Sequence, residues 1–286
     1  MKFLYCNLES HVHITLETNL QKLQSSRFFF LAFVSTGIAM TVANIFGKSV
    51  ATLFTNIIFV PIPGAAVVLS ILFAKRNGIT GDHGKAWVSF TIFIIFWFIA
   101  EQVWFVEEVF YHENPFPSAA DYFYLAGYPF YFLFSILYLK PFKDAIDKKV
   151  LVLSILVSIS LFVPSLYMTM ENNSDESQYA IILGAIYQVA DSIVLVPAII
   201  GSILFFRGKV NFMWSLLLVG MIFEVVADTG FQYFSLDDSM YTGHPVDMLF
   251  LWAYICFAFG IYDQMKLFQK NHNSKSFSGN DLSDLR

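Results

Sequence analysis

Apolar residues along this chain gather into long runs, separated by short stretches where charged and polar residues collect. A hydrocarbon core of about 30 Å is crossed by a helix of about 20 apolar residues. Cutting the sequence at its charged stretches predicts eight such helices, at 28–46, 53–74, 86–105, 121–139, 150–167, 179–206, 211–233 and 247–268. The second is interrupted by Pro61, Pro63 and Gly64, which a membrane helix accommodates as a kink when neighbouring helices satisfy the freed carbonyls. The expected fold is therefore an all-α integral membrane protein. A segment at 1–27 precedes the eight-helix domain at 28–268, and a short polar tail, read as disordered, occupies 269–286.

Basic residues orient this arrangement, because Lys and Arg near span ends accumulate on the cytoplasmic side. Of 17 basic residues, all but Lys48 fall in one alternating set of segments: around Lys2 to Arg27, Lys75 to Lys85, Lys140 to Lys149, Arg207 to Lys209, and Lys266 to Arg286. Both termini are thus expected in the cytoplasm, which requires an even number of spans. Seven would put one basic cluster on the wrong side. Composition agrees: 57% of residues are hydrophobic, 33 are Phe, and only 14% are charged, against about a quarter in a soluble domain. A soluble globule is excluded and the lipid bilayer becomes an obligatory partner. A net charge of −5 without any long block of like charge argues against nucleic-acid binding. Cys6 and Cys256 form no disulfide framework. Residues 1–27 hold no stretch resembling a cleavable signal, so the first span is expected to direct insertion into the cell membrane.

The opposite loops are acidic, with Glu107, Glu108, Glu113, Glu171, Asp175, Glu176, Asp237 and Asp238. They form either a solvated surface or an outer mouth that attracts cations and basic ligands. Asn172 to Ser174 forms an Asn-x-Ser sequon in one of them. Two stretches are also alike. From Glu101 through Tyr111 to Asp121 and Tyr128, and from Glu224 through Tyr233 to Asp247 and Tyr254, each has an acidic helix, an aromatic exit, a polar loop and an Asp at the next helix start. With four spans per half, this would be a parallel 4+4 internal repeat.

The segment from Pro115 through Pro117, Ser118, Asp121, Tyr124, Leu125 and Gly127 to Pro129, with Asp191, Asp228, Gly243, Asp247 and Trp252 further on, resembles the multi-helix membrane regions that precede GGDEF diguanylate cyclase and histidine kinase modules in prokaryotic signalling proteins. The resemblance spans roughly residues 97–264 and implies a sensory role. After the last predicted span the sequence holds only the polar tail, with no GGDEF motif, phosphoacceptor module or nucleotide-binding fold. Any output is then expected to pass through a separate cytoplasmic partner.

Acidic residues carry the chemistry. Asp191 and Glu224 sit near the middle of the sixth and seventh predicted spans, where an ionised carboxylate costs about 2.5–3.5 kcal/mol. No span interior holds a Lys or Arg to neutralise them. They must face the bundle and hold a proton, accept hydrogen bonds or meet a cation. Four-residue spacing puts Glu224, Asp228 and Gln232 on one face, and Tyr187 with Asp191 on another. The third span offers Glu101, Trp104 and Glu108 on a comparable stripe. The competing reading is a protonated carboxyl that joins helices beside Tyr or Gln.

Asp121 and Asp247 open helices, with Ser118-x-x-Asp121 patterned as a capping box and Pro245 placed in the first turn before Asp247. They are helix caps, ligand-binding groups, or both. Glu108 with His112, and His244 with Asp247, are residue types that suit a divalent metal, though nothing local fixes four ligands. Trp97, Trp104, Trp214 and Trp252 suit packing and interfacial belts, or the lining of an aromatic pocket. No nucleotide loop, HExxH, GxSxG or CxxC motif occurs, no span Lys offers a Schiff-base site, and no cofactor is named. The expected function is a non-enzymatic ligand-responsive membrane module that takes a small molecule or cation from the outer face. A proton- or cation-coupled transporter and an intramembrane metal-dependent hydrolase are the alternatives.

Overall fold

The computed structural model describes residues 27–113, 116–171, 178–206, 210–235 and 239–280. The sequon at Asn172, the acids Asp175, Glu176, Asp237 and Asp238, and the segment before Arg27 lie outside them. Among the described residues every regular element is helical: α1 (Arg27–Ile45), α2 (Lys48–Ile58), α3 (Pro61–Asn77), α4 (Gly81–Val106), α5 (Ala119–Leu139), α6 (Lys148–Glu171), α7 (Gln178–Leu204), α8 (Asn211–Ser235) and α9 (Asp247–Asn280). Seven stretches, with α2 and α3 taken together, are long and apolar enough to cross a membrane. The 24-residue α6 coincides with the fifth predicted span. The protein is a multi-pass, all-α membrane protein.

Helix limits differ from expectation where polar residues sit inside helices. The second span begins at Lys48 and divides at Phe59 and Val60, immediately before Pro61. Pro61 has no N–H and sits where α3 needs none. Phe59 still donates to Thr55 and Gly64 to Val60, so the break is a kink whose backbone bonds are retained. At the other end of the chain, α9 continues as far as Asn280, through residues read from sequence as a disordered tail. No proline interrupts it, and each added residue continues the hydrogen-bonded ladder.

Helix ends fall into two groups. At one end, Lys140 pairs with Asp82 at 3.0 Å, joining the finish of α5 to the start of α4. At the other, the Asn44 amide of α1 donates to the Gly243 carbonyl at 2.8 Å, the Thr52 hydroxyl of α2 donates to the Thr242 carbonyl at 2.7 Å, and Tyr241 donates to Asn44 Oδ1 at 2.6 Å. The loop before α9 is thereby held by two separate helices. Gly243 is required there: its φ of +94° is left-handed, and a Cβ would lie 2.6 Å from the Ala51 backbone carbon.

A ladder of rings forms the core between α4 and α5. Phe90 packs on Phe134 at 4.8 Å, Phe93 on Tyr131 at 5.1 Å and Trp97 on Tyr128 at 5.5 Å, and Phe257 of α9 closes against Phe93 at 5.7 Å. α3 packs on α4 and α9, and α7 packs on α8 and α5. α1 lies on the α8–α9 side, where Phe33 stacks on Trp252 at 4.0 Å and accepts from its indole N–H at 3.0 Å. α6 lies on α7, with Ser158 donating to the Ser192 carbonyl. Outward side chains such as Ile45, Leu53, Leu156 and Ile182 are large, apolar and exposed, as a surface solvated by lipid tails requires.

Gly127 decides how closely α4 and α5 meet. A Cβ there would lie 2.5 Å from Trp97 Cδ1, whereas one at Gly64 would find its nearest neighbour at 3.6 Å. Gly127→Ala is expected to displace Trp97 and to destabilise the bundle by about 1–3 kcal/mol. Gly64→Ala is expected to leave stability unchanged or slightly raised, since alanine is the better helix former. Thermal unfolding in detergent followed by tryptophan fluorescence measures both. Equal melting temperatures for the two variants would contradict this packing.

Candidate functional site

At the end of the bundle where α4 and α8 finish and α5 and α9 begin, the helices separate around a cavity. It encloses about 890 Å³ of non-atom space, its open mouth included. Mostly apolar walls with a few convergent polar groups are typical of small-molecule sites. Here rings from several elements, among them Phe59, Trp97, Trp104, Phe231 and Tyr254, alternate with five carboxyl groups: Glu101, Asp121, Glu224, Asp228 and Asp247. Among the described residues, no Lys, Arg or His lines it.

Local structure explains each placement. Ser118 accepts from the Ala120 N–H at 3.1 Å while Asp121 Oδ2 accepts from the Ser118 N–H at 2.7 Å, a capping box that starts α5. The second oxygen of Asp121 accepts from the Tyr187 hydroxyl at 2.8 Å. Asp121 thus caps a helix with one oxygen and joins the cavity wall with the other. At the start of α9, Asp247 Oδ2 accepts from the Gly243 N–H at 2.6 Å and holds the preceding loop.

Deeper in the bundle, tyrosines meet the acids. Tyr254 donates to Glu101 Oε1 at 2.8 Å, and the Tyr124 hydroxyl reaches the same carboxyl. Trp97 donates to the Tyr124 carbonyl at 3.0 Å, which fixes its ring between α4 and α5. Tyr128 donates to Asp191 Oδ1 at 2.7 Å and lies 3.3 Å from Asp228 Oδ2. Tyr128 thus stands between Asp191 and Asp228, and Asp191 Oδ2, behind the wall, is buried without a donor. Glu224 differs in lining the cavity. It is only 4% exposed, and its Oε1 meets no protein donor.

The structure therefore gathers the residues singled out from the sequence. Glu101, Asp121, Tyr187, Glu224, Asp228 and Asp247 all line one cavity, and Gln232 extends the α8 face. Asp191 stands behind the wall, 1% exposed, and reaches it through Tyr128 and Asp228. Glu108 lies on a π-helical turn, Glu107–Tyr111, and accepts from the Asn56 amide at 2.7 Å. The metal grouping does not assemble. His112 is exposed in a left-handed conformation, and His244 rests on Phe234 at 4.4 Å with Nδ1 accepting from the Val246 N–H. Among the described residues no three His, Cys, Asp or Glu side chains are placed to hold a metal ion.

Several wall residues escaped the sequence reading as site residues. Tyr124, Tyr128 and Tyr254 recur in the two similar stretches, yet their role as donors to buried acids depends on facing helices. Asn56 had a local signal, a lone amide within an apolar run. Trp97 is 2% exposed and Trp104 donates to the Thr242 hydroxyl at 3.1 Å. Both belong to the cavity wall. Comparison with known protein families, with curated proteins and with solved structures finds no match for the chain.

The double use of Asp121 is measurable. Asp121→Asn keeps one accepting oxygen and is expected to fold. Asp121→Ala loses about 0.5–2 kcal/mol of capping and also strands the Tyr187 hydroxyl, whereas Tyr187→Phe costs about 0.5–1.5 kcal/mol. The double variant is expected to be less destabilised than the two single variants added together. Equilibrium unfolding in mixed micles of detergent and SDS gives the cycle, and strict additivity would mean that the two side chains do not interact.

Proposed function

We propose that this protein is a ligand-responsive, multi-pass module of the cell membrane whose input is the acidic aromatic cavity and whose output is a separate cytoplasmic partner. The observation that carries this reading is the continuity of α9. Asp247 at its first turn and Tyr254 two turns later line the cavity, and the same helix runs unbroken for 34 residues to Asn280. At 1.5 Å per residue it is about 50 Å long, against a hydrocarbon core of about 30 Å. A change in how the cavity holds Asp247 or Tyr254 acts on one continuous helix that is longer than the hydrocarbon core is thick.

Eight spans with both termini cytoplasmic follow from the basic residues. The structure supports this by grouping Lys75, Lys85, Lys140 and Lys149 with helix ends away from the cavity. The packing of α3, α4 and α5 mirrors that of α7, α8 and α9, which supports a parallel repeat. The likeness to membrane regions of GGDEF and histidine kinase proteins belongs to the same proposal. A second reading, a proton- or cation-coupled transporter, draws on the grouping of Asp191 and Asp228 around the Tyr128 hydroxyl beside Glu224, since intramembrane carboxyls next to a cavity are what coupled movement uses.

Sidedness has a direct test. In a background with Cys6 and Cys256 replaced by Ser, Ser239→Cys is expected to react with an impermeant maleimide in intact cells and Ser283→Cys to react only after lysis. The reverse pattern would invert the topology. Responsiveness is read by hydrogen exchange: Glu224→Gln is expected to change exchange in residues 267–280 at least twofold relative to the unmodified protein. An unchanged profile there would overturn the module reading, and cation-driven proton movement in proteoliposomes, lost in Asp228→Asn, would favour transport.

A further inference from the structure

We propose that the cavity binds an organic ammonium ion, a primary or secondary amine carried on an apolar group, with Glu224 as its counter-ion. This names the ligand class for the input site above and rests on that reading. Two independent features converge on it.

The first is the inventory of acceptors. Asp121 gives one oxygen to the Ser118 N–H and the other to Tyr187, Asp247 accepts from the Gly243 N–H, Glu101 accepts from Tyr254, and Asp228 contacts Asp191 and Tyr128. Glu224 alone among the five lining acids has a buried oxygen that meets no donor. A buried acceptor left unpaired is costly, so its complement is a ligand that brings a donor. With no cationic side chain on the described wall, that donor also brings the positive charge. An anion would face five carboxyl groups, and a neutral hydrocarbon would leave Glu224 unpaired.

The second is the lining of the cavity that Glu224 shares. The wall is mostly aromatic, with Trp97, Trp104, Tyr128 and Tyr254 among its rings. Ring faces attract ammonium groups, Trp most strongly, and they also bury an apolar substituent. A bare metal ion gains nothing from this lining and finds no three-ligand group among the described residues. A proton alone would leave the space unfilled. The amine headgroup of a phospholipid offers the same N–H chemistry, but its phosphate would lie against the acids, so a free amine is favoured.

Phenethylammonium is a suitable probe because phenethyl alcohol has nearly the same shape without the charge. With detergent-purified full-length protein, calorimetry and the fluorescence of the lining tryptophans are expected to give saturable binding of the amine and at least tenfold weaker binding of the alcohol. Glu224→Gln is expected to weaken the amine at least tenfold while leaving the alcohol unaffected. N,N,N-trimethylphenethylammonium, which lacks N–H donors, is expected to bind more weakly than the primary amine. Purified phosphatidylethanolamine competing as well as the free amine would assign the site to a lipid headgroup. Equal binding of amine and alcohol to the unmodified protein overturns the proposal even if the variant fails to fold. Failure of the amine to bind while Glu224→Gln still alters exchange at 267–280 overturns the ligand class and leaves responsiveness standing. Amine binding without any change in that exchange supports the class and overturns the response.

Discussion

A carboxyl group inside a membrane protein must find a hydrogen-bond donor, because neither lipid nor a packed aromatic core supplies one. In this bundle the donor is repeatedly a tyrosine hydroxyl on a facing helix: Tyr254 for Glu101, Tyr187 for Asp121, Tyr128 for Asp191. Each bond joins two different helices, α9 to α4, α7 to α5 and α5 to α7. The helix arrangement around the cavity is fixed by these contacts as much as by the ring ladder beneath it. Tyrosine suits the task because its ring packs as a hydrophobe while its hydroxyl serves the acid.

The same constraint makes Glu224 informative. Among the five acids that line the cavity it alone has a buried oxygen that meets no donor. The cavity, the lack of a basic side chain on its described wall and the aromatic lining are separate facts about the same location. Together they are the grounds on which an ammonium ligand is proposed there.

Much of this was legible in the sequence because membrane helices obey a length rule and because carboxyls within apolar runs are conspicuous. Glu101, Asp191, Glu224 and Asp228 were visible for that reason, and the four-residue spacing along α8 put Glu224, Asp228 and Gln232 on the face they occupy. The kink before Pro61 was visible because proline cannot donate to the turn preceding it. What sequence did not reveal was which tyrosine serves which acid. Glu101 and Tyr254 are 153 residues apart, and Tyr128 and Asp228 are 100 apart. Spacing within one helix carries no information about the helix opposite. The metal grouping failed for the converse reason: His112 and His244 have a ligand's chemistry, but a left-handed turn and a stacked ring hold them elsewhere.

The pairing of tyrosines with acids also bears on how such a protein changes over generations. Removing a buried acid strands a hydroxyl, and removing the tyrosine strands an acid, whereas an apolar pair of similar shape in place of both is nearly neutral. Descent through single substitutions must therefore cross a less stable intermediate at Glu101–Tyr254 and at Asp121–Tyr187. These pairs are expected to be inherited as units, persisting or vanishing together in related chains, while Glu224, whose buried Oε1 meets no donor, is under no such pairing constraint.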